Sequence, residues 1–478
     1  MNLNHINVIA RYEVKLVKRS WLFRIFAILA LLFISAIMLG YQTGIVNRMD
    51  NLWPRIAVSS LMPFCNTYFY NIAQSVIVVF LAGSFLKRDK KLDTAEVIYV
   101  RPMSNADYIV GKTWGIVKVF ITLNVITLLF TAFLNILINK SPFDLFPYLF
   151  YLLTISVPSL LFVLGLSFTA MCILKNQAVT FIVMLGIIGT VFFYLTDTLY
   201  GVFDFFGVNI PAIFSDVTGH ADLRLFLLQR FSYLLAGIGL ISMTIALVKR
   251  LPHKPWKIAV VYTFSSLFLL AACLGGLLYI LHYNHQLDLR HQYIMTFDKY
   301  ADVPHVDLLV NDISVTPQGH RLAGKSTVKV ANNNAKPLDK IIFYLNPELT
   351  VTSVEMAGKN LPFRRDHQVI EVDQPIQQQE ELTLTINYEG KISENICYTD
   401  VLTEDYLDTK VPQVFWRFGK RYAWLSNTFT LLTPECIWYP VTIAPVNPGA
   451  PYNVRKNFTD YTLTVHYEGD KTVLSQGK

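Results

Sequence analysis

Three groups of residues carry side chains capable of chemistry, and spacing decides against catalysis at each. Gly111-Lys112-Thr113 has the look of the end of a phosphate-binding loop. That motif needs another glycine five residues before Gly111, where Ala106 stands, and a strand leading into a helix. Here an apolar stretch long enough to cross a bilayer follows directly, so the chain is not read as binding ATP itself. His282, His285 and His291 cluster, but a peptidase zinc site needs two histidines four apart on a helix with a glutamate between them, and no HExxH occurs. Beside Tyr283 and Gln286 they read instead as part of a juxtamembrane helix. GxSxG elbows are absent as well. Cys397 and Cys436 lie in the polar half with no metal-like spacing, and outside the cytoplasm they could form a disulfide. Cys65, Cys172 and Cys273 sit in apolar stretches as small core residues. With no complete catalytic set, the expectation is a chain that is not an enzyme, with no metal and no cofactor of its own.

What remains is the charged run 87–113, KRDKKLDTAEVIYVRPMSNADYIVGKT, between two apolar segments. Asp93 can cap a short amphipathic helix that includes Glu96 and ends before Arg101-Pro102. Ser104 and Asp107 can cap a second helix running through Tyr108 into the next apolar segment. Two capped helices joined by a proline turn make a lever: a partner that pushes on it moves the flanking spans. An inert solvated loop is the alternative.

The elements around this run are those of a membrane protein. The chain of 478 residues is 53% hydrophobic and only 16% charged. Residues 1–282 hold 22 Lys and Arg against 11 Asp and Glu, whereas residues 283–478 hold 19 against 23. A basic, apolar half fits cytoplasmic anchoring and a mildly acidic half fits a soluble domain, so the positive charge calls for no nucleic acid. Seven spans are expected, at about 22–41, 60–86, 114–138, 147–173, 177–196, 229–248 and 258–281. Asn66, Asn71 and Gln74 in the second and Asn124 and Asn135 in the third could line a transport path. Such amides more often make interhelical hydrogen bonds.

Residues 3–19 form a basic amphipathic helix expected on the inner leaflet, with a disordered tail as the alternative. The amino terminus, MNLNHINVIARYEVKLVKRS, does not read as a signal peptide, since polar and basic residues precede a span with no small-residue cleavage site. The basic loops at the amino terminus, 87–113, Lys175 and 249–257 share one side, which places the amino terminus in the cytoplasm and everything after about 282 outside it. Trp21, Trp53, Trp114 and Trp256 fall at expected boundaries. Loop 197–228, aromatic and nearly neutral, is expected to hold a short re-entrant or interfacial helix, with an eighth span as the competing assignment. From about 300 the period changes to short alternating runs such as STVKVANNN and ELTLTINYEG, parted by turn residues, as in an antiparallel β-sandwich or saddle. The chain then stops without a terminating helix or cap, as a segment ending within a domain would.

The fold class expected is therefore a multi-span α-helical membrane domain followed by an all-β extracytoplasmic domain. Its parts are an interfacial helix at 1–20, a six-span core at 21–250, a linking seventh span at 251–282 and the β-domain at 283–478.

The amphipathic amino-terminal helix, six spans and DTAEVIYVRPMSNADYIVGK between the second and third resemble type-2 ABC transporter permeases over roughly residues 1–250. In that family this loop docks in a groove of the ATPase subunit. Glu96, Arg101, Pro102, Ser104, Tyr108, Gly111 and Lys112 fit its pattern, with Asp93 and Asp107 completing the loop. The resemblance implies ATP bound by a partner subunit, pairing with a second permease as homo- or heterodimer, contact with lipid, and a place in a bacterial inner membrane with a periplasmic carboxy-terminal domain. FYLNPELTVTSVEMAGKNLPFRRDHQVIEV, LTLTINYEGKI and CIWYP resemble the amino-terminal β-domain of aminopeptidase N-like zinc metallopeptidases. That family's HExxH and GxMEN motifs are both missing. Together these imply an export permease with a peptidase-like domain for substrate or partner binding. The alternatives are a membrane-anchored binding module, a fragment of a permease–aminopeptidase fusion, or a permease that signals mechanically.

Overall fold

A computed structural model of the chain describes residues 2–42, 60–83, 103–138, 143–196, 198–207, 214–215, 219–220, 222–248, 255–401, 422–444, 458–469 and 472–476. These residues divide into two units, one ending at His282 and the other starting at Tyr283.

The first unit is helical. Its elements are α1 (Leu3–Arg19), α2 (Trp21–Gln42), α3 (Leu61–Gly83), α4 (Asn105–Ile138), α5 (Phe146–Leu174), α6 (Gln177–Leu195), α7 (Leu223–Leu247) and the first part of α8 (Pro255–Tyr300). Helices lie at all seven stretches expected to span. Among the described residues six are long and apolar enough to cross a membrane, which suggests a membrane protein, and α2 contributes a shorter apolar run, Trp21–Phe33. Three boundaries move. α4 starts at Asn105, α7 at Leu223, and α8 continues to Tyr300.

Local chemistry explains the ends. Asn2 caps α1, its side chain accepting from the Asn4 amide. Lys175, left-handed at φ 56°, ends α5, and the Asn176 side chain accepts from the amides of Ala178 and Val179 to start α6. Inside α5 the backbone turns π-helical over Leu152–Ser156, and α6 ends in another such stretch, Val191–Leu195. α5 and α7 approach closely because Gly165 and Gly237 face each other. A Cβ on Gly237 would lie 2.7 Å from the Leu161 carbonyl carbon.

Loop 197–228 departs from expectation. Its described residues hold a 3-10 turn, Thr198–Gly201, tight turns to Gly207 and a two-residue ribbon, β1 (Phe214–Ser215) with β2 (Gly219–His220), before α7 begins. Neither a re-entrant helix nor an eighth span appears among them. Buried side chains of α7 satisfy the irregular backbone instead.

The second unit is a sheet-rich region. Its strands are β3 (Asp307–Gln318), β4 (Arg321–Ala331), β5 (Ile341–Tyr344), β6 (Leu349–Met356), β7 (Lys359–Asn360), β8 (Phe363–Asp366), β9 (Val369–Val372), β10 (Glu381–Gly390), β11 (Ala423–Leu425), β12 (Thr430–Leu432) and β13 (Asp460–Val465). One six-stranded sheet runs β13-β3-β4-β10-β6-β7, and a three-stranded one runs β5-β9-β8. Alternation turns Val328, Val330, Leu384 and Ile386 into a core shared with Ile341, Phe343, Ile370 and Val372 of the smaller sheet. Burying each such side chain contributes about 1.5–3 kcal/mol. One pairing corrects the antiparallel expectation: β13 lies parallel to β3, with Asp460 opposite Val310. A long stretch of chain separates β3 from β13, which a parallel pairing needs and a hairpin does not. The later part of α8 belongs here, with Tyr293 and Tyr300 buried among Ile342, Tyr344 and Val369.

Candidate functional site

The charged run of the sequence meets the structure at the start of α4. Asp93, Glu96, Arg101 and Pro102 lie outside the described residues. Ser104, Asp107, Tyr108, Gly111 and Lys112 are described, and they form a built junction. The Ser104 hydroxyl accepts from the Asp107 amide at 3.0 Å, and Asp107 Oδ2 accepts from the Ser104 amide at 3.1 Å. This reciprocal capping box fixes where the helix begins.

α1 packs along the first turns of α4. Its buried face is Ile6, Ala10, Glu13 and Val17, at helical spacing. Gly111 and Gly115 make room for it. A Cβ at Gly111 would lie 2.8 Å from the Ile9 Cβ, and one at Gly115 would lie 2.7 Å from the Glu13 Cβ. Lys112 Nζ is 3.5 Å from Glu13 Oε2, with the two side chains only 5% and 2% exposed. The same ammonium sits 5.2 Å from the centre of the Tyr108 ring. Asp107 Oδ1 also accepts from the Asn2 amide at 2.8 Å, and Asn105 Nδ2 donates to the Val248 carbonyl at 2.7 Å. The head of α4 is thus fastened to the start of α1 and to the end of α7. Gly111 and Lys112, assigned above to an ATPase contact, are occupied by α1.

Three of the five amides of the second and third spans, Asn71, Gln74 and Asn124, come together in a second cluster. Asn71 Nδ2 donates to Ser159 Oγ at 2.9 Å and to the Phe206 carbonyl at 2.6 Å. Gln74 Nε2 donates to Asn71 Oδ1 at 2.6 Å, and Asn124 Nδ2 donates to Gln74 Oε1 at 3.3 Å. Ser156 Oγ closes the chain on Asn124 Oδ1 at 3.4 Å. Farther along, Asn66 pairs with Thr131 at 2.5 Å and Asn135 with the Tyr148 hydroxyl at 3.2 Å. All five are at most 2% exposed, and their hydrogen bonds tie α3, α4 and α5 together.

Sequence reasoning passed over Glu13 and Arg230. Glu13 is the one acidic residue of α1, and its place on the apolar stripe with Ile6, Ala10 and Val17 was a readable signal. Arg230, fully buried on α7, donates to the carbonyls of Asp204 and Phe205, while Gln229 Nε2 donates at 3.0 Å to those of Gly201 and Asp204. Together they hold the turn at 201–207.

In the second unit Cys397 and Cys436 lie side by side as thiols, Sγ to Sγ 3.3 Å. Among the described residues no group of three or more His, Cys, Asp or Glu side chains is arranged to hold a metal ion.

No protein-family profile matches the chain, and no curated protein matches it. Among solved structures it is similar to the M1 zinc metallopeptidase from Deinococcus radiodurans, at 23% identity over 19% of this chain and 21% of that one, with a TM-score of 0.17. It is also similar to a substituted form of that organism's M1 zinc metallopeptidase bound to a Tyr-Ser-Ala substrate. There the identity is 18% over 34% of this chain and 32% of the other, with a TM-score of 0.24. The chain spans about a fifth and about a third of the length of these two structures.

Proposed function

We propose that the chain is the transmembrane permease subunit of an ABC-type exporter, powered by a separate ATPase that docks on the cytoplasmic loop 87–113. ATP is bound by that partner, and this chain supplies no nucleotide site. It works with a second permease, in a bacterial inner membrane, with its amino terminus in the cytoplasm. Its β-unit faces the periplasm and binds a substrate or a partner there.

One observation carries the reading. The charged run leads directly into a capped, long apolar helix whose first turns are gripped by an amphipathic basic helix. A push on residues 87–102 therefore reaches α4 through a rigid start and draws α1 with it. Lys112 belongs to that grip, which leaves Asp93, Glu96 and Arg101 among the charged groups for the ATPase.

A second reading, mechanical signalling across the membrane without passage of substrate, is favoured by the amide cluster. Side chains polar enough to line a path spend their hydrogen bonds on neighbouring helices.

The test is co-purification of an ATPase with the tagged chain from its native membranes. Glu96→Lys or Arg101→Glu should abolish it while the chain still accumulates in the membrane. Undiminished capture and ATPase stimulation by both variants would overturn the docking role.

A further inference from the structure

We infer that Cys397 and Cys436 are joined by a disulfide in the working protein, a covalent staple between two turns of the β-unit. The sulfurs are in contact at 3.3 Å, and both residues are fully buried. They come from places 39 residues apart in sequence, each at the end of a 3-10 turn, Glu394–Ile396 and Pro434–Cys436.

Three side chains hold the turns so that the sulfurs meet. Arg290 donates to the carbonyls of Asn395 at 3.2 Å, Cys397 at 2.7 Å, Tyr398 at 2.9 Å and Val401 at 3.1 Å. Asn346 Nδ2 reaches both turns, donating to the Ser393 carbonyl at 2.9 Å and to the Cys436 carbonyl at 2.8 Å. Glu394 Oε1 accepts from the amides of Tyr422 at 2.5 Å and Ala423 at 3.0 Å, closing the neighbouring strand over the pair.

The surroundings argue against a reactive thiol. Contact with Cys397 and burial push the Cys436 thiol strongly up, so its thiolate, the nucleophilic form, is suppressed. Fully enclosed beside Ala423 and partly buried Ile392, Tyr398 and Tyr422, the pair is suited to a bond that is made once and kept.

The step balances as a thiol–disulfide exchange. Before the turns close over the pair, a thiolate attacks the disulfide of an oxidised thiol–disulfide oxidoreductase, and the second thiolate displaces that enzyme from the mixed disulfide. An S–S bond forms here, and the two thiol protons and two electrons leave with the oxidoreductase as its dithiol.

The inference rests on the periplasmic placement proposed above, because a reducing compartment would keep both thiols. The full chain in its native membranes is denatured and its thiols are tagged with a maleimide mass label, with and without prior reduction. Three of the five cysteines should react before reduction and all five after it. In Cys397→Ser all remaining cysteines should react without reduction. Five reactive cysteines in the unreduced native chain overturn the bridge, as does a bridge that persists in Cys397→Ser. Protease added to spheroplasts separates the two claims. Loss of the bridge with the β-unit digested from outside overturns the disulfide alone. Loss with the β-unit protected overturns the placement as well.

Discussion

Buried polar side chains find different partners in the two units. In the helical unit one set joins side chain to side chain: Asn71, Gln74, Asn124, Ser156 and Ser159 form a chain of side-chain contacts across α3, α4 and α5. In the β-unit they mostly find main-chain carbonyls. Arg290 binds four of them, Arg365 donates to those of Leu345 and Asn346, and Asn311 donates to that of Pro440. Backbone regularity is the reason. A helix satisfies most of its own amides and carbonyls, so pairs of side chains can carry the join from one helix to another. The connections from 391 to 401 and 434 to 444 leave carbonyls with no ladder to join, and a long cationic side chain can collect several. Arg230 obeys the same rule within the helical unit, since it serves an irregular turn, 201–207.

Three substitutions or conditions sharpen this contrast, in order of expected size. Arg290→Met should destabilise the β-unit by about 3–5 kcal/mol, because it strips the donor from four buried or half-buried carbonyls at once. Limited proteolysis of the full chain should then cut within the β-unit while the helical unit stays resistant. Equal resistance in both units would break the contrast. Asn71→Leu should cost about 1–2 kcal/mol, since a side-chain bond between helices is worth less in an apolar surrounding than its geometry suggests. Thermal unfolding in detergent reads that difference, and a loss as large as that of Arg290→Met would refute the ranking.

Acid should have the smallest effect. A hydrogen bond from Lys299 holds Asp366 below the usual carboxylate range, and one from Lys340 does the same for Glu371. Carboxylates with depressed folded-state values contribute fully above the unfolded value of about 4, and the contribution is lost as pH falls through the folded value. Both groups are partly exposed, so the loss between pH 5 and 3 should stay below about 1 kcal/mol. Lys299→Met with Lys340→Met should flatten that part of the stability curve. An unchanged slope would show that these pairs contribute nothing.

Legibility followed the range of the forces involved. Helix positions, the Ser104–Asp107 cap and the alternation of β4 and β10 are short-range patterns, and all were readable from neighbouring residues. Lys112 was readable as unusual, but its partner Glu13 lies 99 residues away, and nothing local names such a partner. The same limit hid the parallel pairing of β13 with β3 and the service of Arg230 to the 201–207 turn. The spans read from hydropathy, from about 114 and 229, begin later than the helices, which start at Asn105 and Leu223, because apolarity marks what lies in lipid and says little about where helical hydrogen bonding starts.

The Glu13–Lys112 contact has a consequence for how α1 can move. If α1 slid along α4 by one turn, about 5.4 Å, a carboxylate and an ammonium would each face apolar side chains with no counter-charge, at a cost of several kcal/mol. Intermediate positions are therefore worse than either end. The pair acts as an alignment pin, so α1 is seated on α4 in one register or lifted off it, and does not creep.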